Sequence, residues 1–483
     1  MRRRRCLSVP ARLCIVLAVL QQPQPARGAG WPPLPGSSLN VTEIVWQPEH
    51  TQVYLGSPSI IRQPGSGAVL ASHDYFGAGA TAPAGYPQSV AVVHAAPAAG
   101  GAFAAAGRAE GLYWATLFSR PGDAAVYLMG VSDDSAAAGA AIARSADGGA
   151  SWQPSPAAIL APGAGGAAFS TGPTPVLLHA GRLWRAYERN RGTWASGYSA
   201  VVLSAPADAP DLTAPAAWTA SAELPFSAVL PAVPPAWARV AGGHEVAAPL
   251  YGWLEGNAVQ PEDAADAGVY VVLRVNAGPT ANQAALLRLA APAAAPVFQR
   301  WLAFPGGQTK FSIRRDNETG LYVTLANALP DSANRASLPP ACGAVPQPAA
   351  PLPCCGFLGS CDEAAAAASC LWCHAVARNS LSLCFAPRAA GNWSCAAAPL
   401  LADDTGVPGF VSELFTGFQY ADWQFDGADI LAAVRAGYRG SNNYHNANRH
   451  LLLRVPSWRG LVPAEVLREA AALQRRGARG GGE

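Results

Sequence analysis

An all-β chain closed into a six-bladed β-propeller, with a disulfide-rich loop insertion and a short C-terminal helix, is the fold this sequence predicts. Three observations carry it. The window Ser145 to Trp152, Ser-Ala-Asp-Gly-Gly-Ala-Ser-Trp, reads as the tip of a β-hairpin. In it Asp147 can accept hydrogen bonds from amides two and three residues on, Gly148 and Gly149 tolerate positive φ, and Trp152 folds back as an apolar peg. Groups of short strands recur at a spacing of roughly 60 residues, and about 390 residues remain for them, which suits six blades. No helical period interrupts this pattern until Pro463.

Taken in order, the chain opens with Arg2 to Arg5, an apolar run Leu13 to Leu20, and the small residues Ala26 and Gly28. Residues 1–28 therefore read as a secretory signal peptide, with a transit peptide as the alternative. The run is too short to span a bilayer, and no later stretch reaches about 18 apolar residues. Sequons at Asn40-Val-Thr, Asn317-Glu-Thr and Asn392-Trp-Ser agree with an exported, extracellular protein. The propeller is expected over 31–460. Val53 to Phe76 gives strand, turn, strand around Pro64-Gly-Ser-Gly. Leu112 to Phe118, Val126 to Val131 and the Asp147 hairpin form a second group; Val176 to His179, Leu183 to Tyr187 and Val201 to Ser204 form a third. Weaker copies of the hairpin tip end at Trp218, with Asp211 and Thr213, and at Trp393. Over 461–483, Pro463 to Leu473 places Val466, Leu467, Ala470 and Leu473 on one side of a helix that packs on the flank, ahead of a disordered tail.

Charged residues make up only 13% of the chain and the net charge is +2, which gives no reason to expect a nucleic-acid partner. Lys310 is the only lysine, so alanine and arginine abundance reflects composition drift. Segments that keep Asn, Tyr, Phe and Lys against that drift draw attention, above all Phe415 to Asn448.

Eight of the ten cysteines fall between Cys342 and Cys395. An even count in an exported chain implies disulfides. Cys384 and Cys395 flank a presumed hairpin and are paired on that ground; the other six sit in an insertion over 340–375. Cys370-Leu-Trp-Cys373-His374 also has haem-attachment spacing, and a zinc set from the same residues is conceivable. Six neighbouring cysteines favour disulfides, so no cofactor and no metal is expected. The texture resembles the small disulfide-bonded modules of plexin-type propellers, which implies a structural or cell-surface partner role.

The pattern Ser145-x-Asp147-x-Gly149-x-x-Trp152 resembles the Asp box of the sialidase (neuraminidase) superfamily, where it joins the two outer strands of a blade. That resemblance implies a glycan substrate and a small set of groups: three arginines gripping a carboxylate, a tyrosine nucleophile activated by a glutamate, and an aspartate as acid/base. A neutral phenol activated by a carboxylate spares an anionic sugar an anionic nucleophile, and arginine forks match a carboxylate bidentately. Glu255 and Arg274, nineteen residues apart, resemble the family's glutamate and arginine, although a blade ion pair reads equally well. Asp74 resembles the acid/base, with a turn cap as its alternative. Tyr438 lies late in the chain as the nucleophile does, with Arg435 beside it and Arg314 or Arg315 upstream; a buried core tyrosine is the alternative. One departure stands out: Gly56-Ser-Pro occupies the place of the family's first arginine, and Arg62 follows in a turn. The incomplete grip admits a neutral or uronic-acid sugar. Asp422, Asp426 and His445 are further substrate contacts within Phe415 to Asn448, with acid/base roles in reserve, and Lys310 is a point-charge ligand candidate. Two functions follow from different classes: a secreted, exo-acting, retaining glycoside hydrolase, and a propeller that only binds glycans or proteins.

Overall fold

The computed structural model describes residues 40–480 except 81–88, 98–100, 133–137, 154–156, 162–166, 235–250, 264, 277–281, 329–377, 402–415 and 442. The predicted leader and the Cys-rich insertion over 340–375 lie outside the described residues. The strands within the described residues form six antiparallel sheets around one centre. Strand β1 (Asn40–Trp46) belongs to the last sheet. Blade 1 runs outward through β2 (Tyr54–Arg62), β3 (Val69–Phe76), β4 (Val90–Ala96) and β5 (Ala104–Glu110), and blade 2 through β6 (Leu112–Phe118), β7 (Val126–Ser132), β8 (Ala140–Ser145) and β9 (Ala157–Leu160). Blade 3 has an interrupted inner strand, β10 (Ala168–Ser170) and β11 (Leu177–His179), then β12 (Arg182–Asn190), β13 (Tyr198–Pro206) and a broken outer edge, β14 (Thr219–Ala220) and β15 (Leu224–Pro225). Blade 4 comprises β16 (Gly252–Val259), β17 (Val269–Asn276), β18 (Gln283–Leu289) and β19 (Val297–Ala303); blade 5 comprises β20 (Ser312–Arg315), β21 (Tyr322–Ala326), β22 (Ser380–Ala386) and β23 (Ser394–Leu401). Blade 6 joins both ends of the fold: β24 (Gly417–Asp426), β25 (Asp429–Gly437) and β26 (Arg449–Val455) pair outward to β1.

The burial of each strand follows from its place. Inner strands β2 and β16 are buried on both faces, while outer strands β5 and β19 are exposed or half-buried at all but one position each. Six apolar clusters fill the six seams between neighbouring blades. Leu70 and Val93 meet Leu117 and Leu128 between blades 1 and 2; Trp184 meets Trp253 between blades 3 and 4; Leu325 meets Trp423 between blades 5 and 6. Burying such side chains stabilises the ring by about 25 cal/mol for each Å² removed from water.

The tip between β8 and β9 is closed by Asp147 as expected, but the amide it accepts from lies four residues on rather than two or three, and the Gly149 amide donates to Ser145 Oγ at 2.8 Å instead. Asp147 Oδ1 accepts from the Ser151 amide at 2.9 Å and from Ser145 Oγ at 2.8 Å, and Trp152 Nε1 donates to Gly149 O at 3.1 Å. The Ser151 hydroxyl, which donates to Oδ2, then the Ser151 amide and the Ser145 hydroxyl hold the Asp147 carboxyl down at about 2. The two weaker copies occupy the same connection in their own blades: Trp218 Nε1 donates to Leu212 O between β13 and β14, and Trp393 Nε1 to Ala389 O between β22 and β23. Cys384 and Cys395, opposite each other in β22 and β23, form a disulfide as expected. Helix α1 (Ala464–Gly480) packs Val466, Leu467 and Ala470 on the blade 5/6 seam. It runs past the predicted end at Leu473, because Gln474, Arg475 and Arg476 are good helix formers and Gln474 Nε2 donates to Asn317 O at 3.3 Å.

Candidate active site

One local device is repeated on four inner strands and builds the centre. Ser57, Trp114, Glu255 and Tyr420 each have positive φ, between 38° and 55°. Each opens a β-bulge: two residues of the inner strand face one of the second strand between Gly56 and Ser59, Tyr113 and Thr116, Leu254 and Asn257, and Gln419 and Asp422. Left-handed backbone is costly for side-chain-bearing residues, and such strain gathers at functional sites. The bulge needs room. A Cβ on Gly130, opposite the blade 2 bulge, would lie 2.4 Å from Tyr113 O.

The second strand contributes from an equally fixed position, the residue facing the one before the bulge. That residue is Asp74 in blade 1, Arg274 in blade 4 and Arg435 in blade 6. In blade 3 Glu188 faces Ser170, the last residue before the inner strand breaks. Four charged groups therefore come from one register position.

These positions meet around a phenol. Tyr420 Oη donates to Glu255 Oε1 at 2.7 Å, and Arg274 Nη1 donates to Glu255 Oε2 at 2.8 Å and to Tyr420 Oη at 3.3 Å. Burial, then the Glu255 charge, push the Tyr420 phenol up, against a downward pull from Arg274, Arg378 and Arg435. Burial alone would lower Arg274, but Glu255 and Tyr420 raise it on balance. Arg435 Cζ lies 4.6 Å from the Phe76 centroid and 4.9 Å from that of Tyr420; Arg378 Cζ lies 5.6 Å from Tyr420 and 5.5 Å from Tyr444. Rings and guanidinium groups thus alternate from Phe76 to Tyr444. Arg378 and Arg435 are each 5% exposed. Among the described residues neither forms a salt bridge with a carboxylate, and the Nε of each has no hydrogen-bond partner. Arg378 donates to the Gln419 amide oxygen and Arg435 to His445 O. Burial lowers both, Arg435 to about 10.

Asp74 closes the cluster on the blade 2 side. Its Oδ2 accepts from the Trp114 amide at 2.8 Å, the Ser57 hydroxyl bonds to it, and Arg435 attracts it. Burial outweighs these and raises its pKa. Gly56 is required here, since a Cβ would sit 2.1 Å from Asp74 Oδ1. Next to Glu255, the Glu188 carboxylate accepts from Gly256 N at 2.9 Å, its other oxygen has no hydrogen-bond partner among the described residues, and burial lifts it to about 8. Lys310 Nζ, buried and lowered to about 8, donates to Ser312 Oγ at 2.7 Å and Ala421 O at 2.9 Å.

The structure thus brings together four of the residues singled out from sequence: Asp74, Glu255, Arg274 and Arg435. Tyr438 is not with them. Three residues beyond Arg435 on an extended chain, it faces the opposite side, inside the blade 5/6 seam, with its ring 4.5 Å from Arg449 Cζ. Tyr420 stands where Tyr438 was expected. Arg314 is turned to Asp422 Oδ1, at 3.2 Å, and to Trp423 O; the third arginine at the phenol is Arg378. Asp422 is fully buried and accepts from Ser59 Oγ at 2.6 Å and Ile60 N at 3.0 Å, which joins blades 6 and 1. Asp426, at the other end of β24, pairs with Arg62 and Arg454. His445 is held well below its ordinary pKa by burial and Arg435, and its ring sits edge-on to Phe76 at 5.3 Å.

No family model matches the chain, and no significant match arises among curated proteins. Solved structures do resemble it. An α-L-arabinanase of Penicillium chrysogenum bound to arabinobiose is 12% identical, with a TM-score of 0.49 over 88% of this chain and 99% of its own. A Hadza microbial sialidase is 9% identical, with a TM-score of 0.49 over 85% of this chain and 66% of its own. The Trypanosoma rangeli sialidase complexed with 2,3-difluorosialic acid is 9% identical, with a TM-score of 0.45 over 91% and 61%. The six-bladed arrangement itself rests on the strand pairing described above.

Proposed function

We propose that the protein is an exported, exo-acting, retaining glycoside hydrolase for terminal sugars that carry a carboxylate. The observation that supports this best is the Tyr420 hydroxyl held 2.7 Å from Glu255, beside two buried arginines that form no salt bridge among the described residues. A buried unpaired guanidinium is costly, and a ligand carboxylate offsets that cost through charge-assisted bonds. Arg274, Arg378 and Arg435 grip the carboxylate. Tyr420 Oη attacks the anomeric carbon as Glu255 takes its proton, and the glycosidic C–O bond breaks as Asp74 gives its proton to the leaving oxygen. Water then attacks the anomeric carbon. Asp74 takes the water proton, Glu255 returns its own to Tyr420, and the sugar leaves with its configuration retained. The raised Asp74 carboxyl suits the acid of the first step. Exposed Asn317 and Asn392, both in sequons, and the Cys384–Cys395 disulfide support passage through the secretory route.

The test is hydrolysis of chromogenic sialosides, glucuronides and galacturonides set beside neutral glycosides. Turnover confined to the carboxylated set supports the proposal. Turnover of neutral glycosides alone overturns the substrate class. Binding without turnover leaves a glycan-recognising propeller in its place.

A further inference from the structure

The four bulges carry three residues with assigned work and one without. Ser57, Glu255 and Tyr420 each aim a polar group into the cluster. The fourth, Trp114, bears a large apolar ring and is 38% exposed as a residue, whereas Trp184, Trp253, Trp423 and Trp458 are fully buried. It stands at a strained φ of 50° that only Gly tolerates freely. Its ring is braced edge-on against Tyr113 at 4.8 Å, and its carbonyl accepts from the buried Arg185 at 3.4 Å. Such a backbone position is held for an exposed indole although a smaller residue would expose less apolar surface.

Its neighbour says what the ring is for. Trp114 N is the amide that donates to Asp74 Oδ2, so the indole is anchored at the carboxyl that faces the leaving oxygen. Asp74 lies between Arg435, from blade 6, and Trp114, from blade 2. With the scissile sugar over Tyr420 and the arginines, the leaving group extends toward blade 2. We propose that Trp114 is the platform on which the leaving group stacks, and that this group is a pyranose presenting an apolar C–H face. This rests on the glycosidase reading above. It makes the natural substrate an oligosaccharide or glycoconjugate, with specificity set on both sides of the broken bond.

The test compares two substrates of one carboxylated sugar: its glycosyl fluoride, which has no ring to stack, and its disaccharide with galactose. The quantity read is the ratio of kcat/KM for disaccharide over fluoride. Trp114→Ala keeps the amide that holds Asp74 and should lower that ratio about tenfold, the scale of a lost aromatic stacking contact. Trp114→Phe should hold it within about threefold. A ratio unchanged in Trp114→Ala, with both rates falling in parallel, overturns the platform and leaves only a brace for Asp74. Should Trp114→Ala not fold, Trp114→Leu keeps bulk without a flat face and must show the same loss. Saturation-transfer NMR with lactose alone separates this proposal from the hydrolase reading. Lactose signals lost in Trp114→Ala support the platform even if no glycoside is cleaved, and equal signals in both proteins overturn it.

Discussion

Glu255 and Tyr420 are the same residue of two different blades: each is the left-handed opening residue of an inner-strand bulge, and their side chains meet at 2.7 Å across the ring. A pair made this way is positioned by two rigid sheets rather than by loops.

That relationship predicts which tyrosine reacts. Tyr420→Phe should leave the circular dichroism spectrum unchanged and lower kcat/KM by roughly three orders of magnitude, about 4 kcal/mol of transition-state stabilisation. A fluorinated analogue of the preferred sugar should leave its adduct on the peptide containing Tyr420. Tyr438→Phe should retain activity; an adduct on Tyr438 would reverse the assignment.

Asp74 should trade stability for rate. Its folded pKa is raised, so the native state binds the proton more tightly than the unfolded chain does, and the stability this confers is lost as pH rises through the raised value. Asp74→Asn should therefore melt higher than the wild type at neutral pH, by differential scanning calorimetry. It should also slow substrates with poor leaving groups by about 10²–10⁴ while sparing activated aryl glycosides.

Arg378 and Arg435, which form no salt bridge among the described residues, predict anion-linked stability. A carboxylated monosaccharide should raise Tm and its carboxyl-reduced analogue should not, since only a ligand favouring the native state shifts unfolding. Arg378→Met should weaken binding by roughly 10- to 100-fold in isothermal titration calorimetry, the scale of a charged hydrogen bond lost.

Asp422 belongs to the ring rather than to the chemistry. Asp422→Ala leaves Ser59 Oγ and Ile60 N buried without their acceptor, and Arg314 without its carboxylate. Chemical denaturation should report a loss of about 3–5 kcal/mol. Wild-type stability with lost activity would place Asp422 in catalysis instead.

The six-fold repeat was legible because turn chemistry is local: Asp147, Gly148, Gly149 and Trp152 suffice to specify a hairpin tip. Glu255 and Arg274 were legible because both lie in one blade, on adjacent strands whose spacing survives in the sequence. Tyr420 was not, since its partner is 165 residues away and Tyr438 competes at nearly the same place in the chain. A signal existed. Ser57-Pro-Ser, Trp114-Ala-Thr, Glu255-Gly-Asn and Tyr420-Ala-Asp share one pattern, a bulge residue, a compact residue and a short polar one. The last position ties the blades together: Ser59 to Asp422, Thr116 to the Thr174 carbonyl, Asn257 to Phe311 and Ile313. Arg378 lay beyond such reasoning because it enters from the start of the third strand of blade 5, immediately after a long connection with no recognisable period.

The pairing of β1 with β26 sets an order on synthesis. The ribosome makes β1 first, yet its partner strand emerges only after five blades have been translated. Tyr420 emerges almost as late, so the phenol cannot reach Glu255 on a nascent chain until blade 6 has docked. A chain stalled or cleaved between β16 and β24 carries Glu255 and three of the bulges without the group they would activate. On the reading proposed here, an unfinished molecule is inert toward the glycans it passes during its own export.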